Sequence, residues 1–234
     1  MRLCLLTQDR RDPSFRIRWE RFLPAFAGAG FDVTVAEVGG GRGRAFRAAA
    51  EADTVVLHRR LFSAWDFARL RRAAKRLVYD FDDALCYRPV PPHRSGMRAR
   101  RFFRAVAGSD LVFAGSGFLA RLARLRAARV HVVPSTVDVE RYEPAPKRTP
   151  FTAVWIGQSV TLPHLETVRE AIVDAGIALR VVADAAPPGA ELVPWSADGE
   201  ARALAECHVG LAPLPDTPFT RGKCGYKLLQ YYAA

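Results

Sequence analysis

Short apolar runs recur along the first part of the chain, at 3–6, 33–38, 54–57, 77–79, 111–114 and 130–133. Each is followed by a turn or by a stretch of helical periodicity. Runs this short suit strands buried on both faces better than helices. Between the first two runs, Trp19, Phe22, Leu23 and Phe26 recur at helical spacing and predict a core-facing stripe. Strands alternating with amphipathic helices predict a parallel sheet covered on both faces. Residues 141–150 interrupt the alternation with three prolines and several charges, as a linker does. It then resumes. Residues 153–163 read as a strand entering a turn, followed by a helix with Leu165, Val168 and Ile172 at core spacing. Further strands are predicted at 179–183, 192–196 and 209–214, with a short helix at 201–207. The expected organisation is therefore an α/β domain at 1–140, a linker at 141–150 and a second α/β domain at 151–234.

The end of the chain is the most specific stretch. Pro213, Pro215 and Pro218 hold it extended and exclude a helix there. Thr220-Arg-Gly-Lys-Cys-Gly225 then opens a helical run over 226–234. Gly222 and Gly225 let the backbone turn without a Cβ penalty. A helix start presents N–H groups and the positive end of its dipole, and Arg221 and Lys223 add full charges. That combination predicts an anion site, with phosphate the commonest anion bound this way.

Residues 221–234, Arg-Gly-Lys-Cys-Gly-Tyr-Lys-Leu-Leu-Gln-Tyr-Tyr-Ala-Ala, resemble the donor-binding helix of GT-B glycosyltransferases, in particular glycosyltransferase family 4. Two earlier segments extend the resemblance: 109–120, a strand leading to a Ser-rich turn and helix, and 130–138, a strand ending in Pro-Ser-Thr-Val-Asp. There Thr136 stands in place of the family's Gly. The resemblance implies two Rossmann-like parallel-sheet domains with a cleft between them. It also implies that the second domain is incomplete at Ala234, because the family continues with another strand and more helices.

The resemblance also implies site residues. Gly225 matches the glycine that meets the nucleotide-sugar phosphates, and Gln230 stands where a Glu binds the ribose. Gly222 stands where a second Glu contacts the donor sugar, so both acidic positions are lost. The turn after Trp155 lacks the family's Arg and Lys; Gly157, Ser159 and Thr161 are left to offer backbone and hydroxyl donors. The positive charge at the diphosphate then falls to Arg221, Lys223 and Lys227. Trp195, near the nucleobase by resemblance, either stacks on it or fills the core.

Composition narrows the partners. The chain has 234 residues, is 50% hydrophobic and carries a formal charge of +11, nearly all the excess being arginine. No zinc-finger or RNA-recognition signature accompanies that charge, and nucleic acid is not expected as a partner. A basic surface that attracts phosphorylated substrates or anionic lipid fits better. Met97-Arg-Ala-Arg-Arg-Phe-Phe-Arg104 reads either as a helix packing its phenylalanines inward or as a peripheral membrane contact. Cys4, Cys86, Cys207 and Cys224 are scattered and read as reduced thiols of a cytoplasmic protein. No signal-peptide core or membrane-spanning run is present.

Candidate chemistry concentrates in the first domain. The first strand-to-helix turn, 7–14, contains no glycine, which makes a dinucleotide-binding Rossmann turn a poor reading. Gly39-Gly-Gly-Arg-Gly-Arg44 lacks the spacing of a phosphate loop and reads as a flexible loop. Leu77-Val-Tyr-Asp-Phe-Asp-Asp83 is a strand ending in three carboxylates, at the strand end where parallel sheets bind ligands. Asp82 or Asp83 is expected to orient or deprotonate an acceptor hydroxyl, with a helix cap or an ion pair to nearby arginines as the alternative. Arg16 and Arg18 are expected to grip the acceptor, or are plain surface arginines; His58-Arg59-Arg60 borders the same region or is surface charge. The expected activity is transfer of a sugar from a nucleotide-sugar donor, without metal or other cofactor and with retention of configuration. The acceptor is unidentified, with lipid-linked and polysaccharide acceptors in view. A nucleotide-sugar epimerase and a non-catalytic nucleotide-sugar-binding protein of the same fold are the alternatives.

Overall fold

A computed structural model describes residues 1–197 and 199–234. Met1–Ser135 together with Asp216–Cys224 form one compact unit, and Thr136–Pro215 with Gly225–Ala234 form the other.

The first unit is built on a six-stranded parallel sheet. Its strands are β1 (Arg2–Thr7), β2 (Asp32–Glu37), β3 (Thr54–His58), β4 (Leu77–Phe81), β5 (Leu111–Ala114) and β6 (Val130–Val132), in spatial order β2-β1-β3-β4-β5-β6. Every residue of β3 and β4 is buried, as expected of central strands covered on both faces. Side chains alternate between the faces. Leu3, Leu5, Val56 and Val78 meet Phe15 and Trp19 from α1 (Pro13–Arg18) and its C-cap on one side. Cys4, Leu6, Val55, Leu57, Leu77, Tyr79 and Phe81 point to the other side. There lie α3 (Arg42–Glu51), α4 (Ala64–Ala73), α5 (Gly96–Gly108) and α6 (Gly117–Ala123). Phe102 of α5 is fully buried and meets Phe81 edge-on, ring centroids 5.0 Å apart. Phe102 thus packs inward, while Met97 at the start of α5 is exposed.

The Trp19–Phe26 stripe is not one helix. The chain breaks at Trp19 (φ −131°), passes through a 3-10 turn at Glu20–Phe22, and restarts as α2 (Leu23–Gly28) with Pro24 in its first turn. Phe22 is consequently exposed, while Trp19 stays buried between Phe26 and Phe113.

The second unit has a four-stranded parallel sheet of order β10-β7-β8-β9, formed by β7 (Thr152–Ile156), β8 (Ala178–Ala183), β9 (Glu191–Pro194) and β10 (Val209–Gly210). Trp155, Val181 and Ala183 face Leu165 and Ile172 of α7 (Leu162–Asp174). Val154, Ile156 and Val182 face α8 (Glu200–Ala205) and Tyr231 of α9 (Tyr226–Ala233). Gly210 permits this contact, since a Cβ there would sit 2.2 Å from the Tyr231 ring. The Tyr231 hydroxyl donates to Leu211 O (2.8 Å) and accepts from Ile156 N–H (3.2 Å), fixing α9 to the sheet. β10 stops well short of the 209–214 expectation.

Two boundaries differ from the sequence reading. Residues 141–150 belong to the second unit: Tyr142 is buried in its core, and Lys147 donates to Ala205 O at 2.8 Å. The stretch Asp216–Cys224 belongs to the first. Gly222 lies so close to the end of β4 that a Cβ would approach Ala84 Cβ to 2.5 Å, and Cys224 Sγ donates to Asp82 O at 3.1 Å. Cys4, Cys86 and Cys207 are buried, Cys224 is partly so, and none is disulfide-bonded. Among the described residues, no helix is long and apolar enough to cross a membrane.

Replacing Phe102 by Ala should cost about 3–5 kcal/mol, the range for deleting a buried aromatic ring. Exposed Met97→Ala should stay within about 0.5 kcal/mol of wild type. Urea denaturation of both variants checks the inward packing of α5.

Candidate functional site

The carboxyl ends of β1, β3 and β4 carry a polar cluster built around a carboxylate that has no access to solvent. Asp80 sits within β4 opposite His58, the last residue of β3, in the sheet register. A buried charge is tolerated only when paired and hydrogen-bonded, and Asp80 is both. Arg18 Nε donates to both of its oxygens (3.0 and 3.2 Å), and Arg18 Nη2 adds a very short contact. Trp19 Nε1 donates at 2.7 Å, and His58 Nδ1 lies 2.8 Å away. Burial alone would raise the Asp80 carboxyl, but the His58 and Arg18 hydrogen bonds and the Arg18 charge hold it far below the usual carboxylate range. The break after α1 serves this cluster, because it turns Arg18 and Trp19 together onto Asp80.

From Asp80 a chain of contacts leads outward. His58 Nε2 lies 3.2 Å from Ser14 Oγ, and Ser14 Oγ donates to Asp82 Oδ2 at 2.6 Å. Ser14 is placed by the start of α1, where the Asp12 side chain caps the helix by accepting from Ser14 N–H (2.8 Å). The other Asp82 oxygen, Oδ1, is buried without a hydrogen bond, 3.4 Å from Arg59 Nε. Asp83 is more heavily committed. Its Oδ2 accepts from Arg59 Nη2 at 2.6 Å, and its Oδ1 is 3.0 Å from Lys223 Nζ. Arg59 has φ +55°, a left-handed conformation that costs a non-glycine residue about 1–2 kcal/mol. That conformation places one guanidinium against Asp12, Asp82 and Asp83 together.

The predicted site residues distribute as follows. Asp82, Asp83, Arg18 and Lys223 come together in the first unit through Ser14, His58, Asp80 and Arg59. Arg18 is not an acceptor grip, because its side chain is 3% exposed and its guanidinium is bound to Asp80 and Val133 O. Arg16 is exposed on α1. Arg221 forms a local pair with Asp216, at 2.5 and 2.7 Å, that closes the loop before α9.

In the second unit, Gly157 does not offer its N–H to a phosphate, because that group donates to Val182 O (3.1 Å) in extension of the sheet. Its missing Cβ makes room for the Trp155 ring. Ser159 gives both its N–H and its hydroxyl to the Asp184 carboxylate, each at 2.6 Å. An anion is held at that turn, but the chain supplies it. Gln230 is buried and donates to the Tyr142 hydroxyl at 3.2 Å, which takes it away from a ribose. Gly225, in the left-handed region (φ +66°), forms the N-cap of α9, where a Cβ would come no closer than 3.7 Å to Leu228 Cδ1. Lys227 lies 4.2 Å from the Trp155 ring centroid. Trp195 is not a core residue: it is 41% exposed at the end of β9, with Nε1 donating to Glu200 (2.7 Å). Among the described residues, no group of three or more His, Cys, Asp or Glu side chains is placed to hold a metal ion.

Ser14 was not singled out by the sequence, and His58 and Arg59 were read only as bordering the region or as surface charge. The available signal was a basic triplet at a strand end and a serine in the first turn of a helix. Asp80→Asn, which leaves Arg18 buried without a counter-charge, should cost about 3–5 kcal/mol. Because the folded Asp80 carboxyl is held low, its contribution is complete above the unfolded value near pH 4. It is lost as pH falls toward the folded value. Urea titrations at pH 7 and in acid should therefore show wild type losing stability on acidification and Asp80→Asn losing less.

No protein-family model matches the chain, and no curated protein matches it. Solved structures do. α-Glucosyltransferase in complex with UDP and a 13-mer DNA containing a HMU base aligns over 100% of this chain and 78% of its own, at TM-score 0.60 and 12% identity. The same enzyme with UDP-glucose and DNA containing an abasic site aligns over 100% and 77%, at TM-score 0.62 and 13% identity. HepE of Anabaena in complex with UDP and glucose aligns over 90% and 73%, at TM-score 0.60 and 14% identity. The exclusion of nucleic acid as a partner is withdrawn, because α-glucosyltransferase of this fold is held in complex with DNA. The two parallel sheets and their helices thus have the fold of the GT-B glycosyltransferases.

Proposed function

We propose that this protein is a glycosyltransferase that moves a sugar from a nucleotide-sugar donor to an acceptor hydroxyl. The observation that carries the reading is Asp82, at the carboxyl end of a central parallel strand and oriented by Ser14. Of the two adjacent carboxylates, Asp83 has each oxygen committed to a cation at 3.0 Å or less, whereas Asp82 has one hydrogen bond, a longer approach to Arg59 (3.4 Å) and spare lone pairs. In this proposal Asp82 accepts the acceptor's hydroxyl proton, while Asp83, Arg59 and Lys223 fix the loop around it. Solved structures of the same fold hold UDP, UDP-glucose, or UDP with glucose, which supports a uridine nucleotide as the first donor to try.

On the donor side the proposal rests on Gly225 and Lys227 at the start of α9 and on the partly exposed Trp195. Metal independence and retention at the anomeric carbon belong to the same proposal. Acceptor trials should include lipid-linked and polysaccharide acceptors and, given the DNA complexes of α-glucosyltransferase, nucleic acid.

A thermal-shift panel of UDP, GDP, ADP and their sugars should single out one nucleotide, and radiolabelled sugar from that donor should be transferred or hydrolysed. Asp82→Asn should lower kcat by about 10²–10⁴-fold, the usual worth of a general base, with nucleotide affinity unchanged. Turnover equal to wild type would remove Asp82 from the chemistry, and binding with no turnover in wild type would favour a non-catalytic sugar-nucleotide binder. Trp195→Ala should weaken the nucleotide by about 1 kcal/mol, roughly fivefold, if its ring stacks on the base.

A further inference from the structure

Two acceptors meet at the Ser14 hydroxyl with one proton between them. Asp80 is held ionised, so the proton of its 2.8 Å contact with His58 sits on Nδ1. That makes Nε2 of a neutral His58 an acceptor, 3.2 Å from Ser14 Oγ. The Ser14 proton is spent elsewhere, on Asp82 Oδ2 at 2.6 Å. Ser14 and His58 are both buried, and a buried acceptor without a donor is costly.

The surrounding charges deepen the shortage. His58 faces Asp80 of β4, which it shares with Arg18 of α1, and the edge of the Phe15 ring. Asp82 faces Ser14 and Arg59, with Cys224 Sγ on its carbonyl oxygen. Arg59 also meets Asp12 and Asp83, and Asp83 meets Lys223. Arg18, Arg59 and Lys223 therefore stand against Asp12, Asp80, Asp82 and Asp83, which leaves one negative charge unbalanced. One added proton removes both defects. Placed on Asp82, it lets the carboxyl donate to Ser14 and Ser14 donate to Nε2. Placed on Nε2, it lets His58 donate to Ser14 and Ser14 donate to Asp82. The heavy atoms keep the same contacts in the two arrangements.

We infer that Ser14 and His58 are a proton relay behind Asp82. The network is folded one proton short, and Asp82 passes the proton it gains through the Ser14 hydroxyl to His58 Nε2. Asp82 acts here as the base proposed above, and the relay stands on that reading. The Asp82 side chain is 16% exposed and meets the acceptor; the buried Ser14 and His58 do not touch it and are positioning residues. In the transfer the acceptor O–H bond breaks and its proton goes to Asp82 Oδ2. The oxygen keeps the electron pair that bonds the sugar, and the nucleotide leaves with the pair of the broken sugar–oxygen bond. Asp82 then protonates Ser14 Oγ as Ser14 gives its own proton to Nε2. Asp82 is a carboxylate again, and the positive charge rests on His58 against Asp80. The proton returns to solvent by the same path once the product has left.

Nitrogen NMR of the imidazole rings in the full chain, assigned through the backbone and run without ligand, reads the relay. On acidification the wild-type His58 Nε2 signal should move from the acceptor to the N–H range. In Asp82→Asn the side-chain amide donates to Ser14, Ser14 turns to Nε2, and that movement should be lost where wild type shows it. In a Ser14→Ala background the Asp82→Asn change should make no difference to Nε2. A wild-type response in Asp82→Asn overturns the relay. So does an equal loss in the Ser14→Ala background, which is what a bare charge effect gives. If Ser14→Ala fails to fold, Ser14→Gly removes the same hydroxyl and decides. The Asp82 reading fails separately: wild-type turnover in Asp82→Asn removes the base, whereas an unresponsive His58 removes the relay and leaves the base in place.

Discussion

The ionised Asp80 carboxylate, walled off from water in the middle of a parallel sheet, dictates much of the first unit's architecture. Leaving it unpaired would cost several kcal/mol, so the chain must bring donors to it. It brings Arg18 and Trp19 by breaking a helix, and His58 from the adjacent strand. Those donors are themselves buried and need partners in turn. Arg18 reaches Val133 O, and His58 reaches Ser14, so α1, β3, β4 and the segment after β6 are tied to one point. A network satisfied throughout in this way rigidifies its members. The Asp82 side chain inherits that rigidity through Ser14, which is how a structural ion pair comes to set the orientation of a surface-proximal carboxylate.

The second unit solves a different problem with less charge. Its sheet is covered on one face by α7 and on the other by α8 and α9, and its polar contacts mostly hold short elements in place. Tyr231 ties α9 to β7 and to the residue after β10, while Gln230 reaches Tyr142. Two hydrogen-bonding side chains in successive positions of α9 thus face inward.

The strands were readable because a sheet buried on both faces leaves short, wholly apolar runs, and 54–57 and 111–114 nearly coincide with β3 and β5. The helices on either side followed from periodicity. The Trp19–Phe26 stripe misled because the pull of Asp80 on Trp19 is a tertiary effect, invisible to local spacing. The site was legible only as a clump of carboxylates. What each one does depends on partners far off in sequence: Ser14 lies 68 residues from Asp82, and Arg18 lies 62 from Asp80. Lys223 looked like a phosphate ligand by its place before a helix, yet Asp83 claims it. Proline content suggested a linker at 141–150, but composition does not register one buried tyrosine.

Gly222 occupies the position where the family-4 resemblance would place a sugar-binding glutamate. Its backbone presses against Ala84 so tightly that even a methyl group has nowhere to go. The position is therefore not a vacant slot that a single substitution to glutamate could fill. Placing a glutamate there would require the loop to lift away from the strand end, dragging Lys223 and Cys224 off their anchors at Asp83 and Asp82. A glutamate at this position is, in this sense, sterically locked out unless the whole turn is rebuilt.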